Sequence, residues 1–270
     1  MRSLKALLAL VRWENVLLSV SGVLLGAWWA RGSVVGSATL LAAGAAAALT
    51  AVANAENDYR DREIDRVAHP ERPLPSGALQ PVHARLTVVV AAVVALACSA
   101  TLGLALVAVT LLVIGVMLAY SRILKARGLA GNVTVAVLAS LPFAYGAWAA
   151  GRPLDSLPLV GVAIPLHFAR EIAKDLEDAG ADAATRRTLP VAYGIHAARV
   201  ALIAALGLFV AMLWPLVVQR PQLGAFVVPA LFLIAIAGVR AWRGRRGSPS
   251  LLKAAMACAM ASLVLAHWHR

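Results

Sequence analysis

Two short stretches of the chain carry side chains able to do chemistry. In the first, Asn57-Asp58-Tyr59-Arg60-Asp61-Arg62-Glu63-Ile64-Asp65, the oxygens of Asn57, Asp61 and Asp65 recur at i, i+4 and i+8. Each such step turns a helix by about 40°, so one face presents all three. In the second, Arg170-Glu171-Ile172-Ala173-Lys174-Asp175-Leu176-Glu177-Asp178, Glu171, Asp175 and Asp178 fall at i, i+4 and i+7, and Asp182 follows Gly180. The chain has 13 acidic residues, and all but Glu14 and Asp155 belong to these stretches once Glu56, Glu71 and Asp182 are included. Facing carboxylates repel one another, and burial raises the penalty of keeping them ionised. Divalent cations between two acidic stripes remove both problems. Hard oxygen ligands suit Mg²⁺, which keeps waters and shares a few carboxylates with substrate phosphates. A diphosphate bridged in this way is polarised as a leaving group. Arg72, Arg122, Lys125 and Lys174 would neutralise the phosphate oxygens left uncovered.

The elements that must position these residues are helices in a membrane. At 270 residues, 61% hydrophobic and 14% charged, the sequence is too apolar for a soluble domain. Apolar runs of about 20 residues recur, each able to cross a hydrocarbon core of roughly 30 Å. They lack the alternating pattern of a barrel, so the reading is an all-α polytopic membrane protein, a single domain over residues 1–270. About nine spans are expected: Trp13–Ala30, Val34–Ala55, His83–Thr101, Leu102–Tyr120, Asn132–Ala150, Leu157–Lys174, Ala192–Val218, Leu223–Trp242 and Leu251–Trp268. The acidic stretches follow the second and sixth of them. Pro142, Pro165, Pro215 and Pro229 fall inside spans and predict kinks. Gly22 and Gly26 form a GxxxG, read as close helix packing.

Charge distribution sets the orientation. The net charge of +12 could suggest nucleic acid, but the bases sit between the apolar runs. The N-terminus and the connections after spans two, four, six and eight hold 21 of the 25 Lys and Arg, leaving Arg31, Arg152, Arg220 and Arg270 for the other side. The positive-inside rule therefore places the N-terminus and both acidic stretches in the cytoplasm and the C-terminus outside, in the cell membrane. Either stretch alone reads as solvated surface. Two on one side, each on one helical face and flanked by bases, do not. Cys98 and Cys258 lie inside apolar runs without CxxC spacing and read as packing residues. The Arg240–Arg246 cluster with Trp242 reads as a lipid-headgroup contact. Arg12 and Glu14 interrupt the first apolar run too early for a signal peptide.

The same residues carry a resemblance. Asn57-Asp58-x-x-Asp61-x-x-x-Asp65, followed by Arg72-Pro73-Leu74-Pro75-Ser76-Gly77, resembles the first signature of the UbiA superfamily of intramembrane prenyltransferases. Tyr120-Ser121-Arg122-Ile123-Leu124-Lys125 resembles its central segment, and Asp175-x-x-Asp178 its second aspartate motif. The similarity extends from Arg12 and Asn15 to Thr188-Leu189-Pro190. Within the superfamily, Gly131-Asn132-Val133-Thr134-Val135-Ala136 and Arg170-Glu171-Ile172-x-Lys174-Asp175-x-Glu177-Asp178 are most similar to the digeranylgeranylglyceryl phosphate synthase branch. The resemblance implies a nine-helix bundle with a cytoplasmic active site, a cavity open to lipid, and two Mg²⁺ ions on a prenyl diphosphate. It implies transfer of a geranylgeranyl group to a hydrophobic acceptor, the hydroxyl of geranylgeranylglyceryl phosphate.

On that pattern Asn57, Asp61 and Asp65 are expected to hold one Mg²⁺, and Asp175 and Asp178 the other, with Asp58, Glu171 and Asp182 in support. Asp58 or Glu171 is the expected base, and Tyr120 is expected to face the developing cation. Arg12 and Asn15 are expected to contact substrate, Arg12 also suiting a positive-inside anchor. Arg72, Arg122, Lys125 and Lys174 are the expected phosphate partners. Two rivals stay open. An aromatic-ring prenyltransferase of quinone, chlorophyll or haem-O synthesis would keep the chemistry and change the acceptor. A transporter would place its acids near the midplane, where these spans carry no charge.

Overall fold

Every regular element among the described residues is helical, as lipid requires of a backbone that must satisfy itself. The computed structural model describes residues 2–32, 36–183 and 186–268, and among them there is no strand. The chain divides into two units, Met1–Ile123 with Pro142–Leu154, and Leu124–Leu141 with Asp155–Arg270.

The first unit opens with α1 (Arg2–Val11) and α2 (Trp13–Arg31), which meet at 52°. Arg12 makes the joint at φ 51° and ψ 66°, a left-handed conformation that disfavours a Cβ by about 1–2 kcal/mol. The sequence pattern gives no sign of α1 as a separate helix. Gly32, at φ 74°, closes α2 by returning its N–H to the Trp28 carbonyl at 2.7 Å.

Next comes α3 (Ser37–Ala68), 32 residues long. At 1.5 Å per residue it runs about 48 Å, well beyond a hydrocarbon core of roughly 30 Å. Its first part, rich in alanine, packs against α2 and α4 (Pro81–Ala100), while its last turns carry the first acidic stretch past the apolar run. Pro81 starts α4 at a position where its missing N–H is harmless, and the His83 ring accepts the Gln80 N–H at 3.1 Å. α4 joins α5 (Leu104–Ala119). Val89, Val93 and Leu112 lie more than half exposed on these two helices, as lipid-facing residues should. A buried hydroxyl chain ties three helices: Ser99 to Thr110 at 2.7 Å, and Thr110 to Tyr145 at 3.0 Å. Tyr145 belongs to α6 (Leu129–Ala149), whose residues from Pro142 onward fall in this unit.

There α6 crosses α2 with almost no separation. A Cβ on Gly26 would collide with the Phe143 carbonyl, and one on Gly146 with the Val23 carbonyl. Gly26 of the GxxxG thus serves close packing within the chain, as expected.

The second unit holds α7 (Leu157–Asp182), α8 (Leu189–Tyr193), α9 (Ile195–Gln219), α10 (Pro221–Phe226), α11 (Val228–Trp242) and α12 (Ser248–Trp268). α7 packs on α9 and α12, and α11 on α12. Phe209, Leu202, Leu223 and Leu252 are fully buried between them. Ser262 donates to the Phe226 carbonyl at 2.7 Å, tying α12 to α10.

A helix or helix pair stands at each of the nine runs expected from the sequence. Among the described residues six helices qualify on their own as spans by length and hydropathy, and the bent α1–α2 pair, if one span, makes a seventh. α7 falls short because its charges begin at Arg170, and α11 because it is only 15 residues long. Pro142, Pro165 and Pro215 lie inside helices as expected, but Pro229 lies in the first turn of α11, after a break at Val227. Cys98 and Cys258 are free and half-buried, consistent with packing residues.

Candidate active site

In the first unit the site is the far end of α3. Asp58, Asp61 and Asp65 are all buried, and their directions fall within about 60° of one another. Asn57, expected on the same face, is half-buried at its edge, so the buried sector centres nearer Asp58. Asn54 falls in the same sector one turn earlier and is buried too.

Buried carboxylates need partners, and arginines supply them. Arg12 Nη2 donates to Asp58 Oδ1 at 2.7 Å. Arg72 Nη1 donates to Asp65 Oδ2 at 2.6 Å and stands 3.9 Å from Asp58 Oδ1. Arg12, expected to contact substrate, is thus committed to an aspartate, and Asp58, expected as a base, is held by a cation. The loop Arg72–Gly77 that presents Arg72 is anchored by Leu74 and Leu79, which bury against Ala6, Leu10, Ala55 and Ala84. Other acids of the stretch point elsewhere. Glu56 accepts from Arg60 at 2.9 Å, and Glu63 pairs with Arg66 at 2.7 Å in solvent. The guanidinium groups of Arg62 and Arg85 lie 4.8 and 4.7 Å from the ring centre of Tyr59. Asn15 is half-buried on the first turn of α2.

Tyr120 begins a π-turn, Tyr120–Leu124, that follows α5. Such turns interrupt the regular ladder and recur at functional sites. Tyr120 is half-buried, Arg122 is exposed, and Lys125 is half-buried in the 3₁₀ turn Lys125–Arg127 that follows.

In the second unit, α7 carries the other stretch. Glu171 is buried and accepts from Lys174 at 2.8 Å and Arg170 at 3.1 Å. Asp175 accepts the Asn132 amide at 2.8 Å, a contact from α6 that the sequence signalled only by the Gly131-Asn132 wording at the helix start. Gly131 lets that turn pass, since a Cβ there would lie 2.7 Å from the Leu124 carbonyl. Asp178 is half-buried, and the Asp182 side chain lies outside the described residues. Glu177 departs from its neighbours: it accepts the N–H groups of Gly247 and Ser248 at 2.8 and 3.1 Å and so caps α12.

Among the described residues, no three His, Cys, Asp or Glu side chains converge to hold a metal by themselves. Each stretch by itself offers hard oxygen donors, Asn57, Asp61 and Asp65 on α3, and Asp175 and Asp178 on α7. Donors of this kind suit Mg²⁺, which completes its shell with water and phosphate oxygens.

These features define a helical integral membrane protein in which buried Asp58, Asp65 and Glu171 are compensated by arginine and lysine. The UbiA prenyltransferase family matches residues 19–265, and the chain belongs to that family. It is 37% identical over 267 residues to digeranylgeranylglyceryl phosphate synthase of Halobacterium salinarum, covering 97% of this chain and 96% of the relative. Its fold is similar to that of a UbiA homolog from Aeropyrum pernix K1 in the apo form, with a TM-score of 0.81 at 21% identity over 93% of this chain and 98% of the other. A UbiA homolog from Archaeoglobus fulgidus, solved with GPP and Mg²⁺ bound, gives 0.75 at 18% identity over 98% of each chain.

Proposed function

We propose that the protein transfers a geranylgeranyl group from its diphosphate to the hydroxyl of geranylgeranylglyceryl phosphate, with both units acting as one domain over residues 1–270. The observation that carries the chemistry is the trio Asp58, Asp61 and Asp65, buried on α3 just past its apolar run with Arg12 and Arg72 as counterions. The identity to the Halobacterium salinarum enzyme along nearly the whole chain supports the acceptor.

In this reading Asn57, Asp61 and Asp65 would hold one Mg²⁺, and Asp175 and Asp178, with Asp182, the other. The metals, when bound, supply the positive charge that makes the diphosphate a leaving group. Arg72, Arg122, Lys125 and Lys174 take the remaining phosphate oxygens, Asn15 contacts substrate, and Arg12 serves Asp58. The C1–O bond of the prenyl diphosphate breaks with both electrons leaving on the diphosphate. The acceptor hydroxyl oxygen then forms the new bond to C1, and its proton passes to a carboxylate, Asp58 or Glu171. The ring face of Tyr120 stabilises the allylic cation, and the surrounding helices exclude water that would capture it. The lysine and arginine bias supports the cytoplasmic side of the cell membrane for this site and the N-terminus.

The test is a transfer assay on purified protein with Mg²⁺ and labelled geranylgeranyl diphosphate, offering geranylgeranylglyceryl phosphate and 4-hydroxybenzoate separately. Metal-dependent transfer to the first, lost in Asp61→Ala, is the expected result. Transfer to the aromatic ring alone would replace the acceptor. No transfer to either from folded protein would overturn the reading.

A further inference from the structure

The joint between α1 and α2 is built against its own backbone preference. Arg12 is the single non-glycine residue with positive φ among the described residues. The segment Leu10-Val11-Arg12-Trp13-Glu14 has no glycine or proline and would continue as helix by propensity, so the break is imposed from outside. Two side chains one turn apart on α3 impose it. Asn54 Nδ2 donates to the Val11 carbonyl at 2.8 Å, and Asp58 accepts from Arg12 at 2.7 Å. The break frees that carbonyl, because the Asn15 N–H bonds the Arg12 carbonyl instead, at 2.7 Å. Asn54 and Asp58 are 8% and 3% exposed, so solvent cannot readily replace either contact.

The bend has a downstream effect. It lays α1 so that Ala6 and Leu10 pack on Leu74 and Leu79. Leu74 lies within, and Leu79 just after, the loop from which Arg72 reaches Asp65. A chain of contacts therefore runs from the Asn54 amide through Val11 and Leu10 to the seat of Arg72.

We propose that Asn54 is a positioning residue for diphosphate capture: it latches the α1–α2 joint to α3 and, through Leu10, seats the loop that presents Arg72. The inference rests on the assignment of Arg72 to the diphosphate. Without the amide, the Val11 carbonyl is unpaired, α1 and α2 relax toward one continuous helix, and Leu10 withdraws from the loop. Arg72 loses its seat while the aspartates stay where α3 puts them. Binding weakens and the chemical step does not.

The test uses the full chain in nanodiscs, with Cys98 and Cys258 replaced by alanine and nitroxide labels at Ser3→Cys and Arg66→Cys. The α1–α3 distance distribution is read by double electron–electron resonance, and the Kd for geranylgeranyl diphosphate with Mg²⁺ by titration calorimetry. Asn54→Ala is expected to broaden or displace the distribution and raise Kd about tenfold, the loss of one charged phosphate contact, with saturating kcat within about twofold. Leu10→Ala, which cuts the same route without touching the polar face of α3, is expected to raise Kd similarly. An unchanged distribution, an unchanged Kd in either variant, or a fall in kcat at unchanged Kd would overturn the latch. If the parent binds the diphosphate but transfers nothing, the enzyme reading fails while the latch stands or falls on distance and Kd. If the parent does not bind it at all, both fail.

Discussion

The amide of Asn132 on α6 donates to the carboxylate of Asp175 on α7 across 2.8 Å. That contact fixes the orientation of a carboxylate proposed to hold metal. Outer partners of this kind typically change metal affinity by about 10–100-fold when removed. Asn132→Ala is therefore expected to raise the Mg²⁺ concentration for half-maximal transfer by roughly tenfold. Asn132→Asp sets a like charge beside Asp175 and is expected to raise it further. A Mg²⁺ titration of initial rate checks both.

Glu177 sits in the same acidic stretch but does structural work. Its carboxylate accepts two N–H groups at the start of α12, where a negative charge also meets the positive end of the helix. Glu177→Ala is expected to lower unfolding free energy by about 1–2 kcal/mol, with no change in the Mg²⁺ titration. Glu177→Gln keeps an acceptor and should lose less. Thermal unfolding in detergent measures the first effect and the rate assay the second.

The contrast between Asp175 and Glu177 marks how far the sequence could be read. A helix stands at each apolar run that hydropathy located, and spacing picked out the acid-bearing ends of α3 and α7, because both signals are local. One residue along a helix is a turn of about 100°, so Glu177 and Asp178 face different neighbours, and only the packing of α12 shows which. Asn54 reads as one more residue in an alanine-rich run until α1 folds back over it. The break at Arg12 has no local signature, since tertiary contacts overrule a helix-forming segment there. Pro229 misled in the opposite direction: a proline inside an apolar run suggests a kink, and here it starts a new helix.

Close approach of α2 and α6 gives a stability prediction. A methyl group on Gly146 would overlap the Val23 carbonyl, a backbone atom that cannot swing aside. Gly146→Ala should therefore destabilise the fold by about 1–3 kcal/mol, as overpacking does. At an exposed helical position the same change would help by roughly 1 kcal/mol. Gly115, which has open space around its missing Cβ, is the matched control. Lowered thermal stability for Gly146→Ala and not for Gly115→Ala is the expected result. Equal behaviour of the two would contradict the tight crossing.

The proposed action of both acidic stretches on one diphosphate predicts a particular failure of additivity. Asp61 is buried on α3, and Asp175 is oriented by Asn132 on α7. If both act on the same leaving group, each alanine variant should lower kcat/KM on the order of 10²–10³-fold, as removal of one transition-state charge partner does. The double variant should then lose little more than the worse single one, because a cluster missing one member no longer delivers what the other contributes. Independent sites would instead multiply their penalties. Measuring the residual rate of Asp61→Ala, Asp175→Ala and the pair in one thermodynamic cycle decides between them. A coupling energy near zero would separate the two stretches and require a different role for one of them.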